Sequence, residues 1–259
     1  MVQTTDHAAE ESVAEVNPSG TSCIVLVCEH ASHLIPDEFD GLGMAEGDRT
    51  SHAAWDPGAL AVAEHLSTRL DAVLIAGTVS RLVYDLNRPP EAPGAMPAQS
   101  ELIVVPGNRD LSDAARAERV ARYYRPFHDC ISRKMARIAE PILITIHSFT
   151  PVFHGQRRSV EIGVLHDEDS RLADALLECA GAHTGARVAR NAPYGPQDGV
   201  THTLQVHGQR QGHLNVMLEV RNDLIATAEA QRRTAEMIAG WLADACTRLG
   251  RGGRVSCVA

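Results

Sequence analysis

Four polar clusters follow apolar runs along this chain, and their residue types are those of a metal-dependent hydrolase. They are Glu29-His30 after residues 23–27, Asp85-Leu86-Asn87-Arg88 after 81–83, His147-Ser148 after 142–146, and Glu219-Val220-Arg221 at the end of 213–221. In an open α/β sheet, chemistry collects beyond the carboxyl ends of the strands. A histidine that ends a buried strand can simply cap it through hydrogen bonds. Two such histidines, His30 and His147, point instead to a metal, because neutral imidazole is the commonest zinc ligand.

A catalytic zinc site keeps three protein ligands and one open position. The third ligand has four candidates: Glu29, His33, His52 and Asp56. His33 lies three residues after His30, a spacing that two ligands on one turn can use. Asp56 precedes a helical pattern as an N-cap, and a capping carboxylate can still offer its other oxygen to a metal. His52 reads equally as a partner that orients a ligand.

Glu219 is the candidate base. In 213–221 the apolar residues 214, 216, 218 and 220 alternate with Asn215, Met217, Glu219 and Arg221, so Glu219 and Arg221 share one strand face. A structural ion pair is the plain reading. The functional one is proton abstraction from a water acidified by the metal. Ser80-Arg81 and Asn87-Arg88 offer positive charge, and the planar guanidinium fork matches a carboxylate. Arg157-Arg158 reads as a solvated surface pair. Cys28, beside Glu29, is a poor nucleophile because an adjacent carboxylate disfavours the thiolate. No Gly-x-Ser-x-Gly, phosphate-loop or dinucleotide-binding motif occurs.

The elements that must carry these groups alternate in type. The runs 23–28, 72–76, 81–86, 142–147, 160–165, 187–189 and 214–220 read as strands. Helices are expected from Asp56-Pro57 to about Leu70, over about 112–139, over 168–181, and over about 226–249. Residues 87–108, rich in Pro and Gly, form a loop long enough for a lid or rim. The expected fold is α/β, one domain with a mostly parallel or mixed central sheet and helices on both faces. It spans 21–250, between a disordered tail at 1–20 and a loose end at 251–259.

Bulk properties narrow the class. The 259 residues are 44% hydrophobic and 22% charged, enough for one full core. Aromatics are only 4%, so aliphatic side chains must fill it. A formal charge of −9 argues against nucleic acid as a partner. No apolar run reaches membrane-spanning length and no secretory signal is evident, so no membrane partner is expected. The six cysteines form no CxxC pair, which fits the reducing cytoplasm. Oligomeric state is not readable.

Five segments in order resemble the N-formylglutamate amidohydrolase family, in its predicted branch. They are CEHASHLIP (28–36), HAAWDPG (52–58), SRLVYDLNRP (80–89), HSFTP (147–151) and EVRNDLI (219–225), within a likeness covering about 22–245. That family is similar in fold to zinc carboxypeptidases and aspartoacylase-like deacylases, of the phosphorylase/hydrolase type. The resemblance implies a Zn2+ enzyme, another divalent ion being possible. It would hydrolyse the N-formyl, or another small N-acyl, amide of an acidic amino acid such as N-formyl-L-glutamate. It places His30 and His147 as metal ligands, Glu219 as the catalytic carboxylate, and Asn87-Arg88 at a substrate carboxylate, with Arg81, Ser80 and Arg221 as further substrate contacts. The carboxypeptidase pattern has Glu three residues after its first His, where this chain has His33. The middle ligand is therefore assigned to Asp56, with His33 the alternative and Glu29 a partner of the ligands. Two other functions remain open, a carboxypeptidase-like metallopeptidase and a non-catalytic protein binding acidic metabolites.

Overall fold

The computed structural model describes residues 12–255 and 257. Its centre is a seven-stranded sheet: β1 (Val13–Val16), β2 (Ile24–Cys28), β3 (Val73–Gly77), β4 (Ile142–Phe149), β5 (Ile162–Leu165), β6 (Val188–Arg190) and β7 (Asn215–Arg221). The spatial order is β1-β3-β2-β4-β7-β5-β6. Strands β3, β2, β4 and β7 run parallel, while β1 and β5 are antiparallel to their inner neighbours, so the sheet is mixed.

Strands β2 and β3 are continuous apolar runs because both faces are covered, while β7 is buried throughout yet carries Asn215, Glu219 and Arg221. Ile24, Leu26 and Cys28 face one core with Ile144, Leu218, Leu66, Trp241 and Leu242. Val25 and Val27 face the other with Leu143, Met217, Tyr123, Phe127 and Ile131. The first core is closed by α1 (Ala59–Leu70), α4 (Arg171–His183) and α5 (Ala228–Arg248); the second by α3 (Arg125–Arg137), which follows the short α2 (Asp113–Arg119). Ser112 and Thr227 cap α2 and α5 by accepting from the N–H groups of Ala115 and Ala230. A π-turn, Val120–Tyr124, joins α2 to α3. Pro126 lies just after it and has no N–H for the carbonyl four residues back, so the ladder shifts register there.

Three expectations are corrected. Residues 81–86 are turns rather than a strand, because Ser80 takes their backbone donors: its carbonyl accepts from Val83 and Tyr84, and its Oγ from Leu82. The expected tail at 1–20 contains β1, which pairs with β3; residues 1–11 of that tail lie outside the described residues. At the other end, Val255 is buried, while 256, 258 and 259 lie outside the described residues.

Candidate active site

The parallel strands β2, β4 and β7 end together, and the side chains just past or within those ends point into one cavity of about 760 Å³. The register sets Glu219 opposite His147 and on the same sheet face. Asp56 arrives from the loop before α1. Its N–H donates to the His30 carbonyl, which ties that loop to the end of β2. Gly58, at φ +83°, turns the chain into α1, and a Cβ there would lie 2.7 Å from the Ile225 carbonyl oxygen. Asp56 was expected to cap this helix. The N-cap position falls instead on Gly58, and the Asp56 carboxylate turns into the site.

His30, Asp56 and His147 each offer a ligand atom, and these atoms lie within 4.8 Å of one another. Asp56 Oδ2 is the shared point, 2.9 Å from His147 Nδ1 and 3.4 Å from His30 Nδ1. It also accepts from the Ser148 N–H at 3.2 Å. The far nitrogen of each imidazole faces a second carboxylate: His30 Nε2 meets Asp85 Oδ1 at 2.7 Å, and His147 Nε2 lies 3.1 Å from Glu29 Oε2. Imidazoles that bind metals are held in this way, with a carboxylate fixing ring and tautomer from behind. His30 Nδ1 is buried without a hydrogen-bond partner. Two imidazole nitrogens and one carboxylate oxygen converging at a buried point fit a divalent metal, with zinc geometry among those such donors serve. Another group of donor atoms, Cys179, His183 and Asp244, joins α4 to α5, where Asp244 is already shared with Arg248.

Charge in the site is balanced by contact. Burial alone would neutralise both imidazoles, yet Glu29 and Asp56 hold His147 well above its ordinary pKa, and Asp85 and Asp56 raise His30. Burial likewise works against the charge on Asp56 and Asp85, but the imidazoles and, at Asp85, Arg81 keep both below the ordinary carboxylate range. Glu219 behaves oppositely. Burial pushes its carboxyl up to about 7, with the Asp56 charge adding to the rise against the pull of His147. Its Oε2 has no hydrogen-bond partner. A carboxylate poised near neutrality beside such a trio can take up and return a proton.

The other residues singled out in the sequence divide. Arg81 lines the cavity but forks onto Asp85 at 2.9 Å and Asp56 at 3.4 Å, bracing the carboxylates that hold the imidazoles. Asn87 also lines it; its Nδ2 donates to the Val200 carbonyl and its Oδ1 accepts from the Thr203 N–H. Arg88 Nη1 donates to the Asp198 carbonyl at 2.7 Å and its Nε lies 3.9 Å from Asp85 Oδ2, while Nη2 makes no hydrogen bond or ion pair among the described residues. Ser80 lies away from the cavity lining, with its Oγ donating to the Ala54 carbonyl. Arg221 pairs with Asp223 at 2.7 Å and Glu161 at 3.4 Å, outside the lining. His33 packs at a tilt against Trp55, ring centroids 4.9 Å apart, and is not in the trio. His52 sits at the rim, bonded to Glu101.

Residues 87–108 contribute the rim. Glu101, between the short strands Gln99–Ser100 and Ile103–Val104, accepts from His154 N–H at 2.9 Å and contacts His52 Nε2 at 2.8 Å. Sequence reasoning gave no role to Asp85 or Glu101. The only signal for Asp85 was its place two residues before Asn87-Arg88.

Comparison with known proteins gives the family and the fold. The model of the family described as N-formylglutamate amidohydrolase matches residues 22–226. A solved gene product of Agrobacterium tumefaciens is 48% identical, with a TM-score of 0.92 over 94% of this chain and 98% of that one. An N-formylglutamate amidohydrolase from Ralstonia eutropha is 20% identical, with a TM-score of 0.64 over 93% of this chain and 99% of that one, a likeness of fold. Among curated proteins no match was found.

Proposed function

Because this chain belongs to the N-formylglutamate amidohydrolase family, we propose that it is a Zn2+-dependent hydrolase that cleaves the N-formyl, or another small N-acyl, amide of an acidic amino acid such as N-formyl-L-glutamate. The observation that carries this reading is the convergence of His30, Asp56 and His147 on one buried point beside Glu219. These three residues would hold the metal. When bound, such an ion polarises an acyl carbonyl and acidifies water.

The chain's own groups supply the rest. Glu219, its carboxyl pushed up to about 7 by burial, takes the proton from the attacking water and returns it to the leaving amine nitrogen. Arg88, with Nη2 uncommitted, offers a hydrogen-bonding cation to a substrate carboxylate. Asn87 holds the Val200–Thr203 segment that walls this side. Glu101 ties His52 to the His154 backbone at the rim, and a rim joined across in this way favours a small amide over the long groove of a peptidase. No disulfide joins cysteines among the described residues, and five of the six cysteines are buried, which supports a cytoplasmic setting.

The test is hydrolysis of N-formyl-L-glutamate by the zinc-loaded protein and by Glu219→Gln. The variant should retain metal and lose roughly 10²–10⁴ in rate, the usual worth of a general base. Unchanged hydrolysis in the variant would sink the assignment of Glu219. A wild-type protein that takes up no metal would instead favour an acidic-metabolite-binding role.

A further inference from the structure

We infer that Arg158 is a second anion-holding position in the cavity, one that selects substrates with two carboxylates over those with one. This rests on reading the cavity as the substrate site of an amide hydrolase. The sequence suggests a solvated Arg157-Arg158 pair, but the two residues differ in the fold. Arg157 is exposed, whereas Arg158 is half-buried with its guanidinium among three rings. Its Cζ lies 4.4 Å from the Phe153 ring centroid, 4.6 Å from Tyr194 and 5.5 Å from Phe149. The chain has only four Phe and four Tyr, and two of the former and one of the latter surround this one cation. Stacked rings strip water from the faces of a guanidinium and hold its plane, leaving its edge as the hydrogen-bonding direction.

The decisive contrast is with the other arginines. Arg81 is committed to Asp85 and Asp56, and Arg221 to Asp223 and Glu161. Arg158 forms no ion pair with any carboxylate among the described residues; its side chain donates only to neutral acceptors, the Thr150 carbonyl from Nη1 at 3.4 Å and the Tyr194 hydroxyl. A partly desolvated cation without an acid partner, in a protein with a net charge of −9, is matched to an incoming anion. Arg158, Phe149, Phe153 and Tyr194 line the same cavity as Arg88, Glu219 and the three candidate ligands. A dicarboxylate can therefore engage Arg88 and Arg158 together, while a monocarboxylate can engage only one.

Calorimetric binding of glutarate and of butyrate to the zinc-loaded protein tests this, because glutarate carries a carboxylate for each of Arg88 and Arg158 and butyrate carries only one. Wild type should bind glutarate roughly tenfold or more tighter than butyrate, the scale of one charged hydrogen-bonding pair. Arg158→Gln should abolish that preference with butyrate affinity unchanged. Arg158→Lys, which keeps charge without the fork, should retain part of it. A preference that survives Arg158→Gln, an equal loss for both probes, or no preference in wild type would each overturn the inference. Neither probe is hydrolysable. A protein that prefers glutarate through Arg158 but fails to cleave N-formyl-L-glutamate would refute the proposed activity and leave this subsite standing.

Discussion

Replacing Glu29 by Gln should weaken metal binding without removing a ligand. Glu29 is fully buried, its Oε2 lies 3.1 Å from His147 Nε2, and, against the upward push of burial, its contact with that imidazole helps hold its carboxyl below the ordinary range. Its influence on a metal therefore passes through His147, whose other nitrogen belongs to the trio. Removing a carboxylate behind a ligating histidine typically weakens metal binding by about 10–100-fold, or about 1.4–2.7 kcal/mol. At saturating metal the same energy is lost from the metal-induced stabilisation of the fold. For a domain of this size about 1 kcal/mol moves Tm by roughly 2–4 °C. The rise in Tm on adding zinc should then be about 3–10 °C smaller in Glu29→Gln than in wild type. Each protein is compared with its own metal-free form, so any change in intrinsic stability cancels. Scanning calorimetry with and without zinc, backed by competition with a chromophoric chelator, reads the effect. Equal increments to within about one degree, with equal zinc affinity, would refute the idea that Glu29 orients His147.

Acid should destabilise the fold through the buried cluster of His128, His202 and His207. His128 Nδ1 lies 2.7 Å from His207 Nε2, with Ser132 beside His207, and Tyr124 OH is 2.9 Å from His202. Burial, then the charge of neighbouring His128, pushes His202 down to about 4 and His207 down to about 3. The unfolded chain binds these protons near pH 6.5 while the folded chain does not, so unfolding free energy falls as pH drops from about 6.5 toward 4. Urea unfolding at pH 7 and pH 5 should differ by a few kcal/mol, and His207→Leu should flatten the difference; an unchanged slope would count against the cluster. Gly58→Ala should destabilise by more than about 1 kcal/mol, since φ is +83° and the new Cβ would meet the Ile225 carbonyl. It should also weaken zinc binding by moving Asp56, which calorimetric titration would reveal. Arg119→Met removes the donor to the Val83 carbonyl and Asn108 Oδ1 and should cost about 1–3 kcal/mol in urea unfolding.

The parallel core of the sheet was legible because β2 and β3 are unbroken apolar runs, β4 opens as one, and β7 alternates apolar with polar residues, patterns that leave few other ways to read them. From the same strand ends came His30, His147 and Glu219, since a polar residue ending such a run must leave the core. The turns at 81–86 were not legible. Leu82, Val83 and Leu86 are as apolar as strand residues, and only the capture of their backbone donors by Ser80 decides against a strand. Asp85 escaped for a related reason: its partner His30 lies 55 positions away, and no local pattern encodes that meeting. Arg158 was misread because its three rings come from two separated segments.

Strand β1 has a bearing on assembly. It pairs along β3 from Val13↔Gly77 to Val16↔Leu74, and Glu15 contacts Lys134 on α3. Val73-Leu74-Ile75-Ala76-Gly77 is apolar throughout, the kind of segment that recruits another chain when left at an open sheet edge. Residues Val13–Val16 thus act as a built-in guard against edge-to-edge association, and a protein shortened past Val16 should lose solubility before it loses the arrangement of His30, Asp56 and His147.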